Sequence, residues 1–196
     1  MPPNHIFYSE HTKSSHSNWR SQNNLRVPQL LASGATEVRC TGIFALAYSY
    51  GIVYNTITMK VVIDTNVIYA GLRSRNGASF QVLQHIGTGE FDIVLSVPLL
   101  FEYEMVFKRE PLPNLEEQDI EDVLDYLCAA ADVRDIFYLW RPYLKDPKDD
   151  MLLEVAVESN AEYIVTFNLQ DFRNIGAFGV EALRPQQLFQ KIGGKR

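Results

Sequence analysis

The feature that most constrains this chain is an alternation beginning at Met59, in which short apolar runs are separated by stretches of helical period. Val61-Val62-Ile63 is the first run, Asp92-Ile93-Val94-Leu95-Ser96 the second and Tyr163-Ile164-Val165-Thr166 the third. A continuous apolar run of this length describes a strand covered on both faces. Between the runs, Ser79 to Ile86 reads as a helix closed by Gly87 and Gly89. Pro98 opens a helix carrying Leu99, Glu102, Val106 and Phe107. A longer helix follows Pro113-Asn114, with Asn114 as its cap and Glu117 three residues on. Its residues Ile120, Val123, Leu124, Leu127, Cys128 and Ala131 share one face, which puts Cys128 in the core. Glu116, Asp119, Glu121, Asp122 and Asp125 form a solvated face. A further helix is expected from Asp146-Pro147 to about Ser159. A last short strand near Val180 and a terminal helix from Pro185, with Leu188, Phe189 and Ile192, complete the pattern. Strands alternating with helices imply an α/β domain built on a mainly parallel sheet.

The sequence before Met59 has another character. Its first 40 residues are rich in Ser, Asn, His and Pro, hold three of the four histidines (His5, His11, His16) and show no sustained period. Such a segment buries little apolar surface and is expected to be poorly ordered. Ile43–Ile57 reads as a strand or an extra helix, and Met59-Lys60 looks like the natural beginning of a protein. Residues 1–58 are therefore expected to be an N-terminal extension, with a misassigned start as one origin, and 59–196 to be the working domain.

Charge divides at the same place. Of the formal −6, residues 1–58 contribute +2, from Lys13, Arg20, Arg26 and Arg39 against Glu10 and Glu37, which leaves −8 for the remainder. This balance argues against a protein that grips nucleic acid through a broad basic face. The two cysteines, Cys40 and Cys128, make neither a disulfide framework nor a zinc signature, so a reducing cytoplasm is the expected location. No apolar run approaches the roughly 20 residues a membrane helix needs. Internal repeats, a dinucleotide fingerprint and a P-loop are all missing from the sequence.

In an open parallel sheet, ligands bind beyond the carboxyl ends of the strands. Asp64 directly follows the first apolar run, with Thr65 and Asn66 beside it. Ser96 ends the second strand, and Glu102 lies on the helix after it. Asn168 and Asp171 follow the strand ending at Thr166, and Asp146, Asp149 and Asp150 open another helix. Carboxylates brought together repel and lose hydration, and a divalent cation relieves both costs. Oxygen ligands without histidine or cysteine favour Mg²⁺ or Mn²⁺ over zinc. Such an ion activates water and stabilises charge on a phosphate oxygen, which suits phosphodiester hydrolysis. Each residue also has a structural explanation. Asp64 serves as a turn or cap residue, Glu102 as a solvated helix position, and Asp171 as a turn partner of Asn168. Asp146 at an N-cap followed by Pro147 and Asp149 is a good helix start in its own right.

The motifs resemble a known family. Val62-Ile63-Asp64-Thr65-Asn66-Val67 is similar to the opening strand of the PIN-domain nucleases, and Ser96-Val97-Pro98-Leu99-Leu100-Phe101-Glu102-Tyr103 to their second motif. Asp146-Pro147-Lys148-Asp149-Asp150 with Leu152, Leu153 and Ala156 resembles the third, and Ala161 through Phe172 the fourth. Within the family the resemblance runs to VapC-like toxins of toxin–antitoxin pairs. It implies a three-layer α/β/α sandwich and an Mg²⁺- or Mn²⁺-dependent endoribonuclease, with a small antitoxin partner and a homodimer. Carried over by motif, Asp64, Glu102, Asp149 and Asp171 are catalytic acids, with Glu104 close enough to Glu102 to be confused with it. Asp64, Asp149 and Asn168 are the implied metal ligands, while Asn66, Ser96, Asp146, Asp150 and Thr166 orient them. Arg73 and Arg75, in a loop soon after Asp64, are the preferred RNA contacts, with Lys108 and Arg109 behind them. One departure stands out: Asn168 occupies the place of the usual fourth acid, which puts a second metal in question. The rival readings are a PIN-like binding module with weakened catalysis and a phosphotransfer enzyme, the latter lacking an evident covalent nucleophile.

Overall fold

The computed structural model describes residues 58–112 and 115–193. The order expected of residues 1–40, the element over Ile43–Ile57 and the Asn114 cap lie outside the described residues. Five strands, β1 (Lys60–Ile63), β2 (Asp92–Leu95), β3 (Asp132–Val133), β4 (Tyr163–Val165) and β5 (Glu181–Leu183), form one sheet in the order β3-β2-β1-β4-β5. Every pair in it is parallel. The helices are α1 (Thr65–Arg73), α2 (Ala78–Gln84), α3 (Val97–Arg109), α4 (Glu117–Ala130), α5 (Asp150–Ser159) and α6 (Pro185–Lys191). From β1 the chain first steps outward to β2 and β3, then crosses to β4 and β5 on the other side. Right-handed crossovers in opposite directions place their helices on opposite faces, which gives the three-layer sandwich. Helix α5 packs against β1, β2 and β4, while α2 packs against both α1 and α6.

The core follows from the apolar runs. Val61, Val62, Ile63, Val94, Ile164 and Val165 are buried, as are Leu152, Leu153, Val155 and Ala156 of α5. Each of these valine, leucine and isoleucine side chains stabilises the fold by about 1.5–3 kcal/mol relative to its exposed state. The close approach of α1 to α2 favours Gly71, because a Cβ there would displace the Leu83 side chain, 2.6 Å away at Cδ1, and crowd the Ser79 backbone carbon at 3.1 Å.

Several boundaries differ from expectation, each for a local reason. The stretch after Asp64 is helix α1 and not a loop. Asp64 caps it, Val67 and Ile68 bury its inner face, and Arg73 is its last residue. Helix α4 begins at Glu117, where the Glu116 N–H donates to Asp119 Oδ2 at 2.8 Å. Helix α5 begins at Asp150 and not at Asp146. Residues 146–149 form a turn, in which the Asp149 N–H donates to the Asp146 carbonyl at 3.0 Å and the Lys148 N–H donates to Asp146 Oδ1 at 3.0 Å. Strand β3 was not anticipated, since two residues carry no readable period. Cys128 is half-buried at the margin of the core, and partial burial with the nearby Asp125 charge pushes its thiol pKa up.

Candidate active site at the junction of β1 and β4

Strand β1 is where the winding reverses, since its successors lie on both sides of it. In such sheets the crevice beyond that reversal is the natural ligand site. Asp64 and Thr166 are the residues that leave β1 and β4 there. Asp64 is 6% exposed and accepts three hydrogen bonds. Asn66 donates to it through its backbone N–H (3.2 Å) and Nδ2 (2.7 Å), and Thr166 through Oγ1 (2.6 Å). The cap reading of Asp64 is realised through Oδ1, while Oδ2 is held by the side chains of Asn66 and Thr166. Thr166 Oγ1 also accepts from the Asn168 N–H at 2.9 Å, and Asn66 Oδ1 accepts from the Phe167 N–H at 3.4 Å. This network ties the two loops together. Burial raises the Asp64 pKa, and these neutral donors pull it part of the way back.

Two more acids stand in the field of Asp64. Glu102, on the second turn of α3, is pushed up by burial and then by the Asp64 charge. The buried Thr65 Oγ1 finds no fully formed hydrogen-bond partner, and Glu102 is the acid it acts on, drawing that pKa down. Asp149, half-buried at the start of α5, has its pKa raised to about 7. The causes are burial and then the charges of Asp64, Asp146, Asp171 and Glu102, in that order. Asp149 thus lies within the electrostatic reach of four other carboxylates. Among the described residues, no three His, Cys, Asp or Glu side chains already stand in a metal-holding arrangement.

The remaining candidates divide. Asp171 reaches Lys145 Nζ at 3.5 Å, and its N–H closes a turn onto the Asn168 carbonyl at 3.0 Å. Asn168 itself is exposed. Glu104 does not join the mouth; it pairs with Lys108 at 2.7 Å. Asp150 is fully buried, but its carboxylate accepts the Tyr143 and Leu144 N–H groups, the latter at 2.7 Å, and so organises a loop. Ser96 caps α3, accepting from the Leu99 N–H at 3.4 Å. Arg73 and Arg75 are exposed, Arg73 at the end of α1 and Arg75 in the turn after it. The cations whose fields reach Glu102 are Lys148 and Arg109.

Sequence reasoning passed over Lys148, Thr65 and Tyr103. Lys148 sits inside the acidic string and was hidden by it. Thr65 was noted only as a neighbour of Asp64. Tyr103 lies four residues from both Leu99 and Phe107, so a hydroxyl on a core stripe was the available signal.

A family model described as PIN domain matches residues 60–170. The chain belongs to the PIN-domain family, a family of nucleases. No curated protein sequence matches it significantly. A solved structure to which it is similar is VapBC2 from Rickettsia felis bound to a DNA fragment from their promoter. That likeness has a TM-score of 0.48 and 16% identity, covering 64% of this chain and 98% of the other.

Proposed function

We propose that this protein is a divalent-metal-dependent endoribonuclease that hydrolyses RNA phosphodiester bonds and acts as the toxin of a toxin–antitoxin pair. The observation that carries the proposal is Asp149, whose carboxyl pKa is raised to about 7 by burial and then by the charges of four other acids. Carboxylates crowded in this way favour a cation that offsets their charge. The donor set is all oxygen, which suits Mg²⁺ or Mn²⁺. Asp64, Glu102 and Asp149 would hold the ion, with Asn168 and Asp171 on its open side. When bound, it would supply an activated water and a positive counter-charge for a phosphate oxygen.

The chain's own groups have separable tasks. Asn66 and Thr166 fix the Asp64 carboxylate by hydrogen bonds, so that it meets the ion in one orientation. Thr65 lies close enough to Glu102 to draw its pKa down, and would orient that carboxylate once a hydrogen bond between them closes. Asp149, with a pKa of about 7, would release its proton if an ion were bound there. Lys148 and Arg109, whose charges act on Glu102, would contact the RNA backbone, as would the exposed Arg73 and Arg75.

RNA as substrate, an antitoxin as partner and a homodimer follow from resemblance to the toxin branch, and a cytoplasmic location from cysteine usage that makes no disulfide framework. An exposed apolar row on α3, Val97, Phe101 and Met105, is available for protein contact. No helix among the described residues is long and apolar enough to cross a membrane. The extent of the working domain, residues 59–196 with 1–58 as an extension, belongs to the same proposal.

The test is cleavage of structured RNA with Mn²⁺ or Mg²⁺. Activity lost in Asp64→Ala and Asp149→Ala supports the reading, and unchanged cleavage in both removes this site from consideration. The exposed Asn168 in the fourth position favours a second reading, a PIN-like binding module. Calorimetric titration separates the two, since the module takes up no divalent ion.

A further inference from the structure

Asp64 is presented by the Ile63–Asp64 peptide, and that peptide is held from both sides. Its N–H end donates to the Val165 carbonyl of β4 at 2.9 Å. In a trans peptide the carbonyl points the opposite way, so the Ile63 oxygen faces the β2 side of the sheet. The β1–β2 register runs through Lys60↔Asp92 and Val61↔Ile93, so Ile63 lies beyond those pairs. There its oxygen accepts a short hydrogen bond from the Tyr103 hydroxyl of α3.

Tyr103 is fully buried, and its ring stacks on Phe107 with centroids 6.5 Å apart. A phenylalanine would fill the same space, and a buried hydroxyl is tolerated only where it is bonded. Burial, with the Asp64 and Glu102 charges behind it, keeps that hydroxyl protonated and a donor. Its neighbour Glu102 is displaced around α3 by roughly 100°. Pinning Tyr103 beneath the end of β1 therefore brings Glu102 out at the mouth beside Asp64.

We propose that Tyr103 is a positioning residue for the acidic site, fixing through the Ile63 carbonyl the peptide that presents Asp64 and the spacing of Asp64 from Glu102. The link to metal binding rests on the nuclease reading above; the link to Asp64 does not. The strand pairing holds one end of the peptide, and the hydroxyl couples the other end to the helix that carries the second acid.

The experiment compares Tyr103→Phe with Phe107→Leu in the full chain. Phe107→Leu disturbs the same packing without touching the hydrogen bond. Two readouts are taken: backbone-amide hydrogen exchange at Asp64 in the metal-free protein, followed by NMR, and Mn²⁺ affinity by calorimetry. In Tyr103→Phe, Asp64 exchange is expected to accelerate about tenfold and Mn²⁺ to bind about tenfold more weakly, the lower range for losing a group that orients a ligand. Phe107→Leu is expected to lower Tm while leaving both readouts near wild type. Unchanged Asp64 exchange in Tyr103→Phe overturns the inference. So does unchanged Mn²⁺ affinity where the wild type binds the ion, or an equal loss in Phe107→Leu. A wild type that binds no Mn²⁺ brings down the nuclease reading instead, and the positioning role is then decided by Asp64 exchange alone.

Discussion

Two neighbouring carboxylates at the start of α5 have opposite surroundings. Asp150 is fully buried, yet backbone N–H groups of Tyr143 and Leu144 hold it. One turn further, buried Glu154 receives two nitrogens of Arg141, at 2.9 and 2.8 Å, and the Trp140 N–H at 3.1 Å. Asp149 is less buried than either, but its neighbours are other acids, and its pKa rises to about 7. Burial alone therefore does not mark a working acid. What separates the two groups is whether the surroundings donate hydrogen bonds and positive charge or add more negative charge.

Substitutions at adjacent positions give the largest contrast. Asp149→Asn is expected to lower RNA cleavage by about 10²–10³-fold, the scale seen when a group acting on developing charge is lost. Asp150→Ala is expected to leave Asp149 in place and cost about 2 kcal/mol of stability, because the buried Leu144 N–H and the partly buried Tyr143 N–H lose their acceptor. Cleavage assays paired with urea melts check both, and equal activity losses would erase the distinction. Arg141→Ala comes next. It strands the Glu154 carboxylate, and the loss is expected at about 2–3 kcal/mol, below the full cost of breaking a buried pair because Arg141 is 44% exposed. Thermal unfolding measures it.

A smaller effect concerns pH. Asp149 keeps its proton up to about pH 7 when folded, against an ordinary value of 3.8. Folding thus takes up a proton between those values. The stability this gives is complete below 3.8 and is lost as pH rises to 7. Metal-free urea melts at pH 5 and pH 8 should show this loss, and Asp149→Asn should be less pH-sensitive than wild type across the window. An identical slope in the variant assigns the dependence to other groups. Asn168→Asp should tighten Mn²⁺ binding severalfold by adding a carboxylate on the open side, readable by calorimetry. Least of all, Lys145→Ala should change stability by less than about 0.5 kcal/mol, as its 3.5 Å contact with Asp171 is made by an 80% exposed side chain.

The same contrast explains what could be read in advance. Strands β1, β2 and β4 were legible because their apolar runs have a single structural meaning. Asp64 was legible because it ends such a run. The string Asp146-Pro147-Lys148-Asp149-Asp150 marked a site, but it could not show that Asp149 faces the mouth while Asp150 turns to Tyr143 and Leu144. That division depends on a loop folding back across the start of α5, a contact no local pattern carries. The choice between Glu102 and Glu104 was open for a related reason. What distinguishes them is that Lys108 pairs with Glu104 on the outside of α3, while Glu102 feels the Asp64 charge from another element. Helix α1 went unread because it begins one residue after β1, leaving no loop to announce it.

The brevity of the outer strands has a consequence for how molecules of this protein meet. β3 has two residues and β5 three, so each rim of the sheet offers only a few backbone groups to a passing chain. At the β3 rim, Asp132 is engaged by Lys60 at 3.0 Å and Arg134 at 2.6 Å, and at the β5 rim Glu181 is exposed. Short, charged rims resist strand-by-strand polymerisation. Among the described residues, the edges of this sheet are thereby poor templates for open-ended backbone pairing.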